Sequence, residues 1–157
     1  MTDGLARLKT FLDGEGVSYH VIHHRPDFRA RETAADTDTP LEAFAKTVIL
    51  WVDGSPVMAL VPASRDVALS RLRRALGAAE VRLAQEREIR VLCPDCEPGA
   101  APPFGPLYGM PVFASPALAR DEAITFNGGD HENALRMTWR DFARIVHPRV
   151  VPLAKHD

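Results

Sequence analysis

Apolar and polar residues change period several times along the chain, and the changes divide it into short elements. Leu5, Leu8, Phe11 and Leu12 recur at helical spacing behind Asp3, a candidate N-cap, and Gly14 or Gly16 marks the stop. Ser18–His23 reads as a strand that Pro26 ends. Glu32–Ala35 and Leu41–Ala45 read as short helical pieces separated by turn residues and Pro40. The apolar runs Thr47–Val52 and Val57–Val61 flank Asp53-Gly54-Ser55-Pro56, a strong hairpin signal. Ser64 is a candidate cap for a helix carrying Ala68, Leu69, Leu72, Ala75 and Leu76, closed by Gly77. Val81–Leu83 reads as a short strand, and Gln85–Val91 as a short helix. A Pro/Gly loop follows from Cys93 to Pro111. Val112–Ala114 and Ile124–Phe126 are strand candidates, and the turn Gly128–His131 leads into Ala134–Met137. Thr138 caps a last helix that buries Trp139, Phe142 and Ile145, and Val150–Leu153 adds an edge strand. Helices and strands are mixed without a regular βαβ series. The expected class is α+β, a central mixed β-sheet with flanking helices in one domain over residues 1–157.

Composition narrows this little. The 157 residues are 46% hydrophobic and 25% charged, which suits one core. A net charge of −2 argues against a DNA-binding surface. Charge is unevenly spread, however. Between positions 65 and 90 seven arginines face four acids, whereas Asp27–Glu42 is mainly acidic. The basic stretch fits either a solvated helix face or a side that meets RNA phosphates. No apolar run approaches the ~20 residues that span a bilayer, and the N-terminus lacks a basic leader. Two cysteines give no disulfide framework, so a cytoplasmic location is expected.

Two features carry candidate chemistry. The loop Gly99-Ala100-Ala101-Pro102-Pro103-Phe104-Gly105 is stiffened by paired prolines and opened by glycines at both ends. Its exposed N–H groups suit a carbonyl or oxyanion. Lys46, at the entrance of an apolar strand, must keep its ammonium in water or in a polar cavity, where it favours a phosphate or a developing oxyanion. His131, after a glycine turn, is a further cleft candidate. A nucleophilic elbow, a dinucleotide fingerprint and a Walker loop are all missing. Cys93-x-x-Cys96 resembles half of a zinc site, but no second pair completes it. No metal and no cofactor are expected.

Several pieces, in order, resemble the YbaK/EbsC family of aminoacyl-tRNA deacylases, which are related to the editing insertion domain of bacterial prolyl-tRNA synthetase. They are Tyr19-x-Val21-x-His23, Thr33-Ala34-Ala35, Phe44-Ala45-Lys46-Thr47-Val48-Ile49-Leu50, Val61-Pro62-Ala63, Leu72-Arg73-x-Ala75-Leu76-Gly77, Gly99–Gly105 and Phe126-Asn127-Gly128-Gly129. The resemblance covers nearly the whole chain and implies a mixed sheet curled toward a barrel. It implies that Lys46 holds the tRNA end and orients the ester, while the backbone of Gly99, Ala100 and Ala101 surrounds the aminoacyl group. Pro102, Pro103, Phe104, Gly105, Thr33, Thr47, the Gly128-Gly129 turn and His131 then count as substrate-binding positions. The sequence Asp130-His131-Glu132-Asn133 and the pair Pro102-Pro103 depart from YbaK itself, so its preference for cysteine does not carry over.

The resemblance implies hydrolysis in trans of a mischarged small amino acid from tRNA, with tRNA for proline as the first candidate. The substrate's own 2′-hydroxyl would assist proton transfer. Mischarged aminoacyl-tRNA is the expected partner, prolyl-tRNA synthetase a candidate one, and neither a membrane nor DNA is expected. The rivals are a non-catalytic module of the same fold that binds tRNA, a synthetase or a nucleotide, and a zinc protein using Cys93 and Cys96.

Overall fold

The computed structural model describes residues 3–157. Helix α1 (Gly4–Glu15) buries Leu8 and Leu12 and stops at Gly16, which is left-handed. Strand β1 (His20–His23) and helix α2 (Ala30–Asp36) follow. Leu41–Ala43 makes one 3-10 turn before β2 (Ala45–Val52) and β3 (Ser55–Pro62). Asp53 and Gly54 join these two strands with φ of 49° and 82°. Two positive φ angles give the type I′ turn that matches strand twist. Next come α3 (Leu69–Leu76), β4 (Val81–Leu83), α4 (Glu86–Leu92), β5 (Val112–Ala114), α5 (Pro116–Ala119), β6 (Ala123–Asn127), β7 (Asn133–Thr138), α6 (Trp139–Val146) and β8 (Arg149–Val150).

The strands form two sheets rather than the one expected. One has the order β1-β7-β6 and is antiparallel; the other has the order β4-β2-β3-β5-β8 and is mixed, with β5 parallel to β3 and to β8. A parallel bridge between Phe44 and Thr125 links them. Neither sheet closes into a barrel.

Strand β3 is buried on both faces, and its alternation divides the core. Met58 and Leu60 join Leu8, Leu12, Phe104, Phe126 and Phe142 in a cluster drawn from both sheets. Val57, Ala59 and Val61 turn the other way, against Leu72 of α3 and Leu153. Phe104 is the hub of the aromatic packing, with ring centroids 5.4 Å from Phe126, 5.5 Å from Phe142 and 6.1 Å from Phe11.

The structure departs from the sequence reading at Leu41–Ala45, where the helical turn ends at Ala43 and Ala45 already opens β2, and at the start of α3. Ala68, not Ser64, precedes α3. The Ser64 hydroxyl donates to Glu42 instead. Val67 bridges to Ala154, and the Ala68 N–H donates to Leu153 O, so the chain ahead of α3 is held extended. Helix α5 was not expected, although Ser115 caps it and Pro116 opens it. Among the described residues no helix is long and apolar enough to cross a membrane.

Candidate active site

A cleft of about 290 Å³ opens between the start of β2, the segment Asp27–Ala30 and the loop at Gly99. Lys46, Thr47, Thr33, Gly99 and His131 all line it, and Val48, Ile49, Ala84 and Ile89 supply apolar wall. Five positions proposed from the sequence are therefore brought to one hollow. They come from α2, β2 and two loops, which only the tertiary fold unites.

Lys46 is the second residue of β2 and pairs with Val61 in register. Its Nζ lies 3.3 Å from Asp66 Oδ1, and its side chain is 29% exposed against 75% for Asp66. So exposed a pair contributes at most about 1 kcal/mol. The pair is therefore weak enough to open readily.

Gly99 has φ of 86°, where L side chains are strained, and a Cβ built there meets only His131 Cε1, at 3.7 Å. The loop is pinned from behind. Ala100 donates to Glu97 O at 3.0 Å and accepts from the Gly129 N–H at 2.9 Å. The Glu97 N–H reaches Gly129 O at 2.8 Å, and the Glu97 carboxylate accepts from the His131 N–H at 2.8 Å. The Ala100 N–H is thus already used. Of the three residues whose amides are proposed as a cradle, Gly99 is the one that lines the cleft.

His131 lies between two carbonyls. Its Nδ1 is 3.0 Å from Asp27 O, and its Nε2 is 3.0 Å from Pro98 O. A neutral ring donates to one of them; only the doubly protonated ring donates to both. The ring thus sits between the Asp27–Phe28 segment and the Gly99 loop, within hydrogen-bond distance of both. The Thr33 hydroxyl turns back to Arg29 O at 3.2 Å.

The remaining proposed positions lie elsewhere. Ala100, Ala101, Pro102, Pro103, Phe104 and Gly105 are buried, and Phe104 belongs to the core rather than to a binding wall. Gly105 packs against the Met110 carbonyl, and Gly128 against Leu135. Gly129 faces a separate hollow of about 230 Å³ beside Gly4, Lys9 and Asp130. The glycine turn is a buttress of the Gly99 loop, one layer behind the cleft.

Asp27, Phe28 and Asn127 also line the cleft, and sequence reading did not single them out. Burial raises the Asp27 carboxyl above its ordinary range, and the neighbouring Asp36 carboxyl adds to this. The Asp27 side chain and the Arg25 guanidinium, 2.7 Å away, hold Asp36 below its ordinary range. Asn127 ends β6 with a buried Oδ1 that has no partner among the described residues. Its signal was present in the motif Phe126-Asn127-Gly128-Gly129, but no periodicity marks a single amide.

The cysteines are remote from this chemistry. Burial pushes both thiols up to about 12, and Cys96 Sγ lies 3.1 Å from the Tyr108 hydroxyl within the core. Among the described residues no three His, Cys, Asp or Glu side chains gather as metal ligands.

The fold is that of a tRNA-editing domain. The family described as the aminoacyl-tRNA editing domain matches residues 24–145, and the chain belongs to it. A proline–tRNA ligase of Heliobacterium modesticaldum is 33% identical over 75 residues, which are 46% of this chain and 12% of the ligase. The chain thus matches about an eighth of that relative's length. A crystal structure of a candidate trans-editing enzyme for prolyl-tRNA synthetase superposes with a TM-score of 0.86 at 20% identity, covering 99% of both chains. A crystal structure of a hypothetical protein gives 0.85 at 18% identity, covering 95% of this chain and 99% of the other. At such identities the two structures establish the shared fold.

Proposed function

We propose that this chain hydrolyses, in trans, the ester between a small mischarged amino acid and tRNA, with tRNA for proline as the first substrate to test. The observation that carries the reading is that Lys46 and Gly99 line one small, partly apolar cleft in a member of the editing-domain family. The ligase relative and the trans-editing structural neighbour support proline as the tRNA identity.

Water attacks the ester carbonyl, and charge develops on the carbonyl oxygen. The Gly99 N–H and the Lys46 ammonium stabilise that charge, an effect of roughly 3–4 kcal/mol for one well-placed donor. The C–O bond to the ribose then breaks. The adjacent 2′-hydroxyl relays the water proton to the departing 3′-oxygen, so the protein needs no nucleophile of its own. A cleft of about 290 Å³ selects by exclusion. This suits editing, since a missing methylene changes binding by only ~1–3 kcal/mol.

The test is a panel of alanine, cysteine and serine esters of tRNA for proline. Wild type hydrolyses at least one of them, and Lys46→Ala, still folded, loses about 100- to 1,000-fold in kcat/KM. Tight binding without turnover would instead make the domain a binding module, and full activity of Lys46→Ala would remove the lysine from the mechanism.

A further inference from the structure

On the other side of Lys46 lies a second hollow, of about 340 Å³. Phe28, Arg29, Ala30 and Lys46 line both hollows, so they form a shared wall. Phe28 is 74% exposed, an unusual position for a phenyl ring, and lies 4.7 Å from the His131 ring at 44°. Arg29 and Arg31 are exposed, and among the described residues neither has a carboxylate within ion-pair distance. The other charges here are satisfied. Arg65 is 3.1 Å from both Glu42 and Asp157, and Asp66 is paired with Lys46. Two spare cations and one exposed ring therefore flank the mouth of the catalytic cleft.

We infer that this hollow docks the unpaired 3′ end of the RNA whose ester enters the cleft, with Phe28 stacking a base and Arg29 and Arg31 holding the phosphates. The inference rests on the editing reading for its ligand. If acyl group and ribose fill the cleft, the strand must leave over one of its walls. The shared wall combines a π-face with unpaired positive charge, the two elements by which proteins hold single strands without reading sequence. Lys46, on the shared wall, is held only by an exposed pair with Asp66 at 3.3 Å, so an ester in the cleft can draw the ammonium while Arg29 and Arg31 keep the phosphates.

The probe is an uncharged RNA minihelix with an unpaired CCA tail, labelled at its 5′ end, compared by fluorescence anisotropy with the same helix lacking the tail. Wild type should prefer the tailed helix, and Phe28→Ala should weaken that binding about tenfold, as loss of a stacked base does. Arg29→Ala/Arg31→Ala should lower the slope of log affinity against log salt by about 1.4, the share of two single-strand phosphates. Equal binding of both helices by wild type, wild-type affinity in both variants, or equal competition by polyglutamate would each overturn the dock. Tail-dependent binding with no hydrolysis of any mischarged tRNA keeps the dock and defeats the hydrolase reading. Hydrolysis at wild-type KM by both variants does the reverse.

Discussion

At Gly99 one backbone angle supports the proposed chemistry. Gly99 lines the cleft with φ at 86°, and the nearest atom to an added Cβ is 3.7 Å away. Space therefore does not exclude a side chain; backbone strain does. Gly99→Val should cost about 1–3 kcal/mol of stability and lower deacylation at the same time, because the loop relieves the strain by moving its amide. Unchanged melting and turnover would mean that the amide is not used. The thiols give a contrasting case. Held near 12 by burial, Cys93 and Cys96 should resist a disulfide reagent at pH 8 until the protein is unfolded, and prompt reaction in the native state would refute their burial. At this scale the sequence was legible where a residue's chemistry conflicts with its surroundings. Lys46 beside an apolar run had to find a polar hollow. Phe104 carried no such conflict, since an apolar ring beside glycines suits a core as well as a pocket. Asn127 and Phe28 had no pattern to mark them.

Among the elements, α4 shows how local sequence suffices when the partners are close. Gln85 and Glu88 form a reciprocal capping box, with the Glu88 carboxylate accepting from the Gln85 N–H at 2.8 Å. The same carboxylate takes two hydrogen bonds from Arg82 of β4, at 3.0 and 2.9 Å. The Arg82 guanidinium and the Gln85 amide lower Glu88 from its ordinary 4.5 to about 2. A folded-state value below the unfolded one gives stability that is fully present above the unfolded value and is lost as pH falls toward the folded one. The wild-type melting temperature should therefore fall more steeply between pH 4.5 and about 2 than that of Glu88→Gln. Identical acid profiles for the two proteins would refute the assignment. The β2–β3 hairpin and the caps at Gly77 and Thr138 were legible for the same reason: each is decided within a few residues. The start of α3 was not. Ser64 is a good cap by type, but Glu42 and the distant segment at Leu153 and Ala154 decide its use.

For the whole molecule, distant segments must be fastened together, and Asp157 is the clearest fastening. Its side chain is 1% exposed and lies 3.1 Å from Arg65. It accepts from the Ser115 hydroxyl at 2.7 Å and from the N–H groups of Leu153 and Ala154 at 3.0 and 2.7 Å. Burial alone would raise the carboxyl, but these hydrogen bonds and Arg65 outweigh it and hold it below its ordinary 3.8. The residue thus links the end of β5, the segment before α3 and the strap that covers Val57, Ala59 and Val61. No local pattern could reveal this, nor the division into two sheets, because both depend on pairings far apart in sequence. Phe44 with Thr125 is one such pairing. Asp157→Ala removes the acceptor from two backbone amides and from a half-buried guanidinium at once, at a cost of about 3 kcal/mol at pH 7. Its lowered folded value fixes the pH dependence: the contribution is complete above 3.8 and fades as pH falls through the folded value. Denaturant midpoints of wild type and Asp157→Ala should therefore differ widely at pH 7 and draw together as pH falls below 3.8. A gap that stays constant with pH would mean that the aspartate acts through packing rather than charge. Since Arg65 borders the hollow assigned to the RNA end, the same variant tests whether the fastening also shapes that surface: loosening it should weaken binding of the tailed helix while the capping of α4 stays intact.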